Sequence, residues 1–323
     1  MGPGREVGGI VTTVTDTAME RRLRLREERE IVRPHRGRLE WRVIVEFLVN
    51  FGAFVAVTVL ALTGVIPLWL GLVLNALACA LIYMPLHEAV HLNIAGDRRD
   101  LMWVDEVIGR LSGLIFAFGF REHRISHMRH HAHTNDPARD PDWVVAGSFW
   151  MIPVKLGVGS AIRLLTPMFV LVPPTRRLIP KWVQSLLASG DAGPESFTLT
   201  VRRNFVESVL VFGSFFVGLG WEFLFLWYLP TRVGLVWVGF VFGWYPHHPH
   251  DTRERYRDTR VATFPGSTFL IRGHDHHLLH HLYPRVAHYR LPALWDDIGP
   301  LLIQRGARVE GDASPVGDPI VWR

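Results

Sequence analysis

The chain has 323 residues, of which 49% are hydrophobic, and it includes 12 tryptophans and 19 phenylalanines. This composition is too apolar for an ordinary soluble protein and the chain is too short for a large transporter, so a lipid bilayer is its expected environment. The formal net charge of +5 comes largely from arginines near apolar segments, which is typical of the cytoplasmic side of a membrane protein, and no nucleic-acid-recognition module accompanies it. The single cysteine, Cys79, excludes an intramolecular disulfide and a cysteine-ligated iron–sulfur cluster.

The first apolar stretch begins only after a polar, arginine-rich segment. Residues 1–42 are therefore expected to form a basic cytoplasmic leader, partly helical around 19–30, and not a cleaved signal peptide. Residues 43–62 and 67–86 are each long enough to cross a bilayer and are separated by four residues, which predicts a helical hairpin. Its polar exceptions, Glu46 and Asn75, are expected to sit at an interface or to bond to a neighbouring helix.

The middle of the chain mixes polar runs with two apolar patches. Residues 101–120 carry three charged side chains and predict a helix that lies in the membrane interface, and residues 149–172, interrupted by prolines and charges, predict an interfacial or re-entrant segment. A second hairpin is expected from 205–228 and 233–245, joined at 230–232. Residues beyond 304 have little periodicity and predict a loose tail.

These segments together predict an all-α integral membrane protein with four transmembrane helices in two hairpins. Because the N-terminus is expected in the cytoplasm, the chain returns there after the second and fourth spans. All the histidine runs follow one of those two spans or lie in the large loop between them. We therefore expect one cytoplasmic helical cap that collects the histidines.

Most of the 17 histidines fall in four short runs, at 87–91, 123–133, 247–250 and 274–281. Neutral imidazole is a ligand suited to iron, zinc, copper and nickel, so converging imidazoles indicate a metal site. His87 and His91 are one helical turn apart, which is weak evidence alone. The second run is stronger because four histidines repeat at intervals of three and four: His123, His127, His130 and His131. His133 departs from that face and is expected to have a supporting or loop role.

The last run repeats the pattern with His277, His280 and His281, and prolines around 246–249 predict a rigid break that offers one further ligand from His247, His248 or His250. About nine candidate ligands exceed the three or four of a tetrahedral zinc site, so the sequence indicates two ions. Glu-x-x-His spacing occurs at 88–91 without a matching copy, so a carboxylate-rich centre is not expected.

Aspartates at 136, 140 and 142 follow the second histidine run. Two interpretations of them stay open. They either cap a proline-rich turn or orient ligand imidazoles through the free ring N–H groups.

The segments HEAVH, HMRHH and HLLHH resemble the three histidine boxes of the membrane fatty acid desaturase and hydroxylase superfamily, which includes carotenoid ketolases and hydroxylases. The resemblance covers roughly residues 87–284. It implies a membrane di-iron oxidoreductase whose catalytic domain spans 43–303, between the leader 1–42 and the tail 304–323. The metal ligands that it implies are His87, His91, His127, His130, His131, His247, His277, His280 and His281. Candidates for an additional or supporting role are His123, His248, His250, His274, Asp142 and Asp275.

One position departs from the family pattern. Some desaturases place an asparagine one turn before the ligand that follows the fourth span, and this chain has Gly243 there.

The resemblance implies that two iron ions and O2 as co-substrate oxidise unactivated C–H bonds of a lipid. A fatty acyl chain that is desaturated or hydroxylated is the leading expectation. Carotenoid ring ketolation or hydroxylation is an alternative, because the YPHH segment and Asp-Pro-Asp at 140–142 are also similar to those enzymes. Oxidative decarboxylation of a free fatty acid is another.

Electrons are expected from a separate protein of ferredoxin, rubredoxin or cytochrome b5 type, and the location is expected to be a bacterial inner membrane with the histidines facing the cytoplasm. Arginines at 253–260 either form a solvated positive face or hold an acyl head group or an acidic electron donor. From a different class, a membrane protein that binds or transports metal stays possible, although few polar residues in the spans line a path for transport.

Overall fold

The structure is a computed structural model that describes residues 18–171 and 194–322, and side chains in those ranges outside 166–201. The first 17 residues of the predicted leader, Val172 of the predicted interfacial segment and Arg323 lie outside the described residues. The helix predicted near 19–30 is present as α1, Ala18–Val32. It is anchored because the buried carboxylate of Glu28 accepts hydrogen bonds from Tyr256 Oη at 2.6 Å and Arg305 Nη1 at 2.5 Å.

The two apolar segments that follow form α2, Trp41–Leu62, and α3, Leu68–Val90, which pack against each other. Large apolar side chains along α2 are exposed, as a lipid-facing helix requires. Asn75 donates hydrogen bonds to Thr58 Oγ1 at 2.9 Å and to the Leu226 carbonyl at 2.8 Å. The expectation that Asn75 bonds to neighbouring helices is confirmed.

Four further helices precede the last apolar stretch: α4, Met102–Phe116; α5, Phe120–His133; α6, Ile152–Leu171; and α7, Pro194–Phe216. The turn predicted at 230–232 is wrong. The chain reverses at 217–219, where Gly218 takes the left-handed φ of 79° that favours glycine, and a continuous helix α8, Gly220–His247, follows.

Two features allow α8 to pass through Pro230. The proline comes just after a π-helical segment, Leu224–Tyr228, in which the regular hydrogen-bond ladder is already widened. The next residue, Thr231, donates its hydroxyl to the Tyr228 carbonyl at 2.8 Å, so a backbone acceptor near the proline is satisfied. A second π-helical segment, Gly239–Trp244, lies close to the end of α8.

In the ranges 18–171 and 194–322, three helices are long and apolar enough to cross a membrane: Trp41–Leu62, Leu68–Val90 and Gly220–His247. The protein is mostly helical, in agreement with the expected class, but the count of four spans in two hairpins is not confirmed. The segments predicted as two short spans, 205–228 and 233–245, are divided differently, since most of both lies in the single helix α8.

The C-terminal part folds back beneath the helix ends. It contains α9, Ser267–Leu270; α10, His277–Leu282; α11, Leu291–Gln304; and two short parallel strands, β1, Val261–Thr263, and β2, Val309–Gly311. This two-stranded sheet departs from the all-α expectation.

The loose tail predicted beyond residue 304 is also wrong. The Arg260 side chain is fully buried, and its Nη1 donates to Glu310 Oε2 at 2.5 Å and to the Val321 carbonyl at 3.0 Å. Because a buried charge without a partner is costly, the tail is held in place by the charge that it neutralises. Trp322 then packs on the ring of Tyr245, two residues before His247.

Candidate metal centre

Histidines from four helices meet at one end of the bundle. His87 lies in the last turn of α3 and His91 directly follows that helix. Helix α5 carries His127, His130 and His131, the last turn of α8 carries His247, and α10 carries His277, His280 and His281. On α5 and α10, and at the end of α3, the three- and four-residue spacing places the imidazoles on one face, so these helix ends each present two or three of them, whereas α8 presents one.

The imidazoles form two groups of four, and within each group the candidate ligand nitrogens lie within 4.8 Å of one another. The first group is His87, His91, His127 and His280; the second is His130, His247, His277 and His281. In the second group the Nε2 atoms of His247 and His277 are 3.0 Å apart. Eight of the nine histidines predicted as ligands therefore belong to a compact group.

The ninth predicted ligand, His131, lies at the boundary between the groups. Its Nε2 is 3.1 Å from His127 Nε2 and 3.1 Å from His280 Nε2, and its ring stacks on that of His281 at 4.2 Å between centroids. The two groups are thus in direct contact, as a centre with two neighbouring ions requires.

Hydrogen bonding alone does not explain this packing. An imidazole nitrogen carries either one hydrogen or one lone pair, so it forms one good in-plane hydrogen bond. His127 Nε2 nevertheless faces both His91 Nε2, at 2.9 Å, and His131 Nε2, at 3.1 Å. Imidazole nitrogens bound about 2.1 Å from a shared ion stand roughly 3.0–3.4 Å apart. The observed distances therefore fit lone pairs that point at a common cation.

Burial keeps most of these imidazoles in the form that binds metal. Burial lowers the pKa of His91 to about 3, and the pKa values of His127, His280 and His281 fall well below the ordinary value for the same reason, reinforced by neighbouring imidazoles. A neutral imidazole offers the lone pair that a metal requires, whereas a protonated one does not.

His130 differs from the others because carboxylates face it. Burial lowers its pKa, but the charge of Asp142 and the hydrogen bond to Asp140 outweigh that effect, so the pKa of His130 is raised. Asp140 Oδ1 lies 2.8 Å from His130 Nδ1, whereas Asp142 Oδ2 is 3.7 Å away. Of the two carboxylates only Asp140 is within hydrogen-bond distance, so it is the one that fixes the ring orientation.

Asp140 caps the turn, as the first interpretation of the aspartate loop expected, and the same carboxylate also bonds the His130 ring. Its carboxylate also accepts the backbone N–H groups of Asn135 and Asp142, each at 2.8 Å, which caps the turn. Asn135 has a φ of 61° and donates its side-chain amide to the carbonyls of Thr252 and Asp258, which joins this loop to the segment after α8. The loop thereby links α5 to the chain that follows His247.

A comparison with protein-family models identifies the family of this chain. The model for fatty acid desaturase matches residues 63–310, more than three quarters of the sequence, and this range includes both histidine groups. The chain belongs to the fatty acid desaturase family. No curated protein matches this desaturase-family chain.

The remaining predicted site residues of this desaturase-family protein lie near the two groups but belong to neither. His123 Nε2 is 3.3 Å from Tyr83 Oη, and the His274 ring packs on Phe242 at 3.8 Å between centroids. Asp275 accepts the hydroxyls of Ser267 and Thr268, each at 2.7 Å, and so supports the approach to α10.

Two other histidines of the α8 terminus pack on tryptophans: His248 stacks on Trp244 and His250 lies edge-on to Trp143. Of the three histidines left open in this segment, only His247 enters a group.

Sequence reasoning missed a buried anchor behind the first group. Glu88 Oε1 accepts the backbone N–H of His288 at 2.9 Å and lies 3.1 Å from His288 Nδ1, while Glu88 Oε2 accepts the side-chain amide of Asn93 at 2.7 Å. Asn93 also donates to the Pro284 carbonyl at 3.0 Å. Glu88 therefore ties the end of α3 to the segment after α10. The sequence signal for this role was its position between His87 and His91, two of the predicted ligands.

A cavity of about 650 Å³ adjoins the centre of the desaturase-family protein. Tyr83, His123 and Phe242 line it on the side of the histidines, and both Tyr83 and Phe242 are in ring contact with His87. Its other walls come from α6, α7 and α8. This volume is within the range of about 300–1,000 Å³ that small-molecule sites occupy.

Proposed function

We propose that the protein is an O2-dependent di-iron membrane oxidoreductase that oxidises an unactivated C–H bond of a fatty acyl chain. The observation that carries the proposal is the pair of buried four-histidine groups in direct contact beside a largely apolar cavity. Family membership supports the reaction class, because fatty acid desaturase is the description of the matching model.

The donor set fits two iron ions. All eight grouped ligands and His131 are imidazoles, which suit iron, and no carboxylate belongs to either group among the described residues. Bound iron would supply the activation of O2 and the oxidising power needed to remove hydrogen from an alkyl chain. At Gly243 the chain offers no side chain, so the amide ligand that some relatives place there is not available.

The protein's own residues hold and orient this centre. Asp140 fixes the ring of His130, and Glu88 holds the end of α3 that presents His87 and His91. Aromatic rings of Tyr83 and Phe242 separate the histidines from the cavity and help to keep water from the site. A fatty acyl chain in the cavity would be aligned past these rings.

The partners and location that we propose follow the sequence analysis. The histidine-bearing ends of α3 and α8 are the ends that we place at the cytoplasmic face of a bacterial inner membrane. The arginine-rich leader supports this orientation. A separate electron donor of ferredoxin, rubredoxin or cytochrome b5 type would supply the reducing equivalents.

The proposal is tested by iron analysis of detergent-purified protein combined with reductant-dependent O2 uptake and product analysis. Wild type should contain two iron ions per chain and consume O2 with a fatty acyl substrate. Mass spectra of the product would separate a double bond, an alcohol and a shortened hydrocarbon. If the carotenoids change and the fatty-acid profile does not, the substrate is a carotenoid ring and not an acyl chain. Stoichiometric metal binding without O2 uptake would refute the proposal that the protein is an enzyme.

A matched pair of variants tests the ligand set. His280→Ala removes a member of the first group and should abolish activity and lower the iron content while the protein still inserts in the membrane. His133→Ala changes the same residue type on α5, outside both groups, and should leave both quantities near wild type. Full turnover by His280→Ala would contradict the assignment.

A further inference from the structure

An ion pair lies inside the apolar part of the bundle, away from the histidines. Arg232 is in the middle of α8, and its Nη2 donates to Glu207 Oε1 of α7 at 2.8 Å. The two side chains are only 12% and 5% exposed. Charged groups inside a membrane span are costly and in most proteins mark a functional site. The pair therefore needs an explanation beyond helix packing.

Arg232 lines the same cavity, whose other end is bordered by Tyr83, His123 and Phe242 beside the histidine groups. Gly243, which lines the cavity near the centre, follows Arg232 by eleven residues on α8. At 1.5 Å of rise per residue, Arg232 lies roughly 16 Å from Gly243 along the axis of α8. The cavity thus extends from a buried cation to the aromatic rings beside the metal centre, over the length of a lipid chain.

The guanidinium of Arg232 has donors left for a ligand. Arginine carries five N–H donors, and Glu207 receives one of them. The buried Nε has no hydrogen-bond partner among the described residues. Lys155, Arg163 and Arg203 also line the cavity, so four cations stand against three carboxylates once Glu207, the partner of Arg232, is counted with Glu122 and Asp142. The cavity as a whole therefore favours an anionic ligand.

The two carboxylates of the cavity lining lie at the end near the histidines. Glu122 and Asp142 come from α5 and from the loop that follows it, next to the histidines. Arg163 is next to Leu164, whose carbonyl accepts the hydroxyl of Ser208, the residue after Glu207. This contact places Arg163 at the level of the ion pair, so the end remote from the centre holds two arginines and the single carboxylate of Glu207.

We infer that Arg232 binds the carboxylate of a free long-chain fatty acid, which extends through the cavity to the metal centre. This inference rests on the proposed function and narrows its substrate class to an aliphatic carboxylate, in preference to an ester or a carotenoid. An extended chain advances roughly 1.2 Å per bond, so the oxidised carbon would lie on the order of a dozen bonds from the carboxylate.

The test measures equilibrium binding of radiolabelled hexadecanoic acid and of its methyl ester to purified protein without O2 or reductant, so turnover plays no part. Arg232→Gln should weaken binding of the acid by about tenfold or more and binding of the ester by less than about twofold. Arg232→Lys should restore part of the acid binding. Arg110→Gln is the control, because Arg110 is an exposed cation that pairs with Glu106 outside the cavity.

Arg232→Gln leaves the buried Glu207 carboxylate without its partner, so a second variant is needed in case the single mutant does not fold. Arg232→Met combined with Glu207→Leu removes both charges, and such replacement of a buried pair is often tolerated. It should show the same selective loss of the acid. Wild-type affinity for the acid in this variant, or an equal loss of acid and ester, would overturn the inference. Selective binding of the acid without O2 uptake for any lipid would refute only the proposed oxidation.

Discussion

Replacing Asp140 by asparagine tests whether a carboxylate outside the ligand set controls the metal centre. The Asp140 carboxylate contacts His130 Nδ1 and the Asp142 N–H through Oδ1, and the Asn135 N–H through Oδ2. An asparagine has one carbonyl oxygen, so its NH2 group must face either His130 Nδ1–H or the Asn135 N–H. In both orientations two donors oppose each other, and the His130 ring or the turn must move.

The expected loss follows from that contact. Removing a group that orients a ligand imidazole costs about 10- to 100-fold in metal affinity or activity, which corresponds to about 1.4–2.7 kcal/mol. Iron affinity would be measured by competition with a coloured chelator at fixed pH. Asp142→Asn is the matched control, since its carboxylate is 3.7 Å from His130 Nδ1 and half-exposed, and it should lose less than about threefold. Wild-type affinity in Asp140→Asn, or an equal loss in both variants, would refute the assignment.

Three further predictions concern the cavity, the tail and the metal. A Cβ at Gly243 would approach Val145 Cγ2 to 2.7 Å, so Gly243→Ala should lower the free energy of unfolding by about 1–3 kcal/mol and slow turnover. Adding Val145→Ala to the same protein should reverse both effects, as measured by thermal melting and by O2 uptake. Glu310→Ala leaves the Arg260 charge buried and should cost about 3–5 kcal/mol in thermal unfolding, whereas Ala at the exposed Asp296 should cost almost nothing. Removing iron with a chelator should lower the melting temperature, and added Fe²⁺ should restore it, because a ligand that binds only the folded state stabilises that state. An unchanged melting temperature would argue against a bound metal.

Most of the candidate ligand set could be predicted from the sequence because helical periodicity is a local property. Histidines three and four residues apart share a face on any helix, so the members from α3, α5 and α10 could be read directly. The structure brings His87, His127 and His280 into one group and His247 into the other. Which helix supplies which group depends on packing between residues up to 193 positions apart, as for His87 and His280, and no local pattern encodes that.

Other features depend on contacts that sequence spacing does not reveal. Pro230 predicts a turn by its local chemistry, but the π-helical segment before it and the Thr231 hydroxyl allow the helix to continue. Asp140 and Asp142 are equivalent in the pattern, and only the fold of the turn decides which one reaches His130. The tail looked unstructured because the buried charge that it neutralises lies fifty residues earlier.

The docked tail has a consequence for the order of events during synthesis. Every predicted iron ligand has been made once residue 281 leaves the ribosome, but Glu310 and the carbonyl of Val321 follow later. Until then Arg260, whose guanidinium also donates to the Tyr245 carbonyl next to the α8 terminus, has no carboxylate partner. Arg260 therefore reaches its carboxylate partner only when the last residues of the chain have been made. The contacts that surround Tyr245, two residues before His247, are completed at that final step.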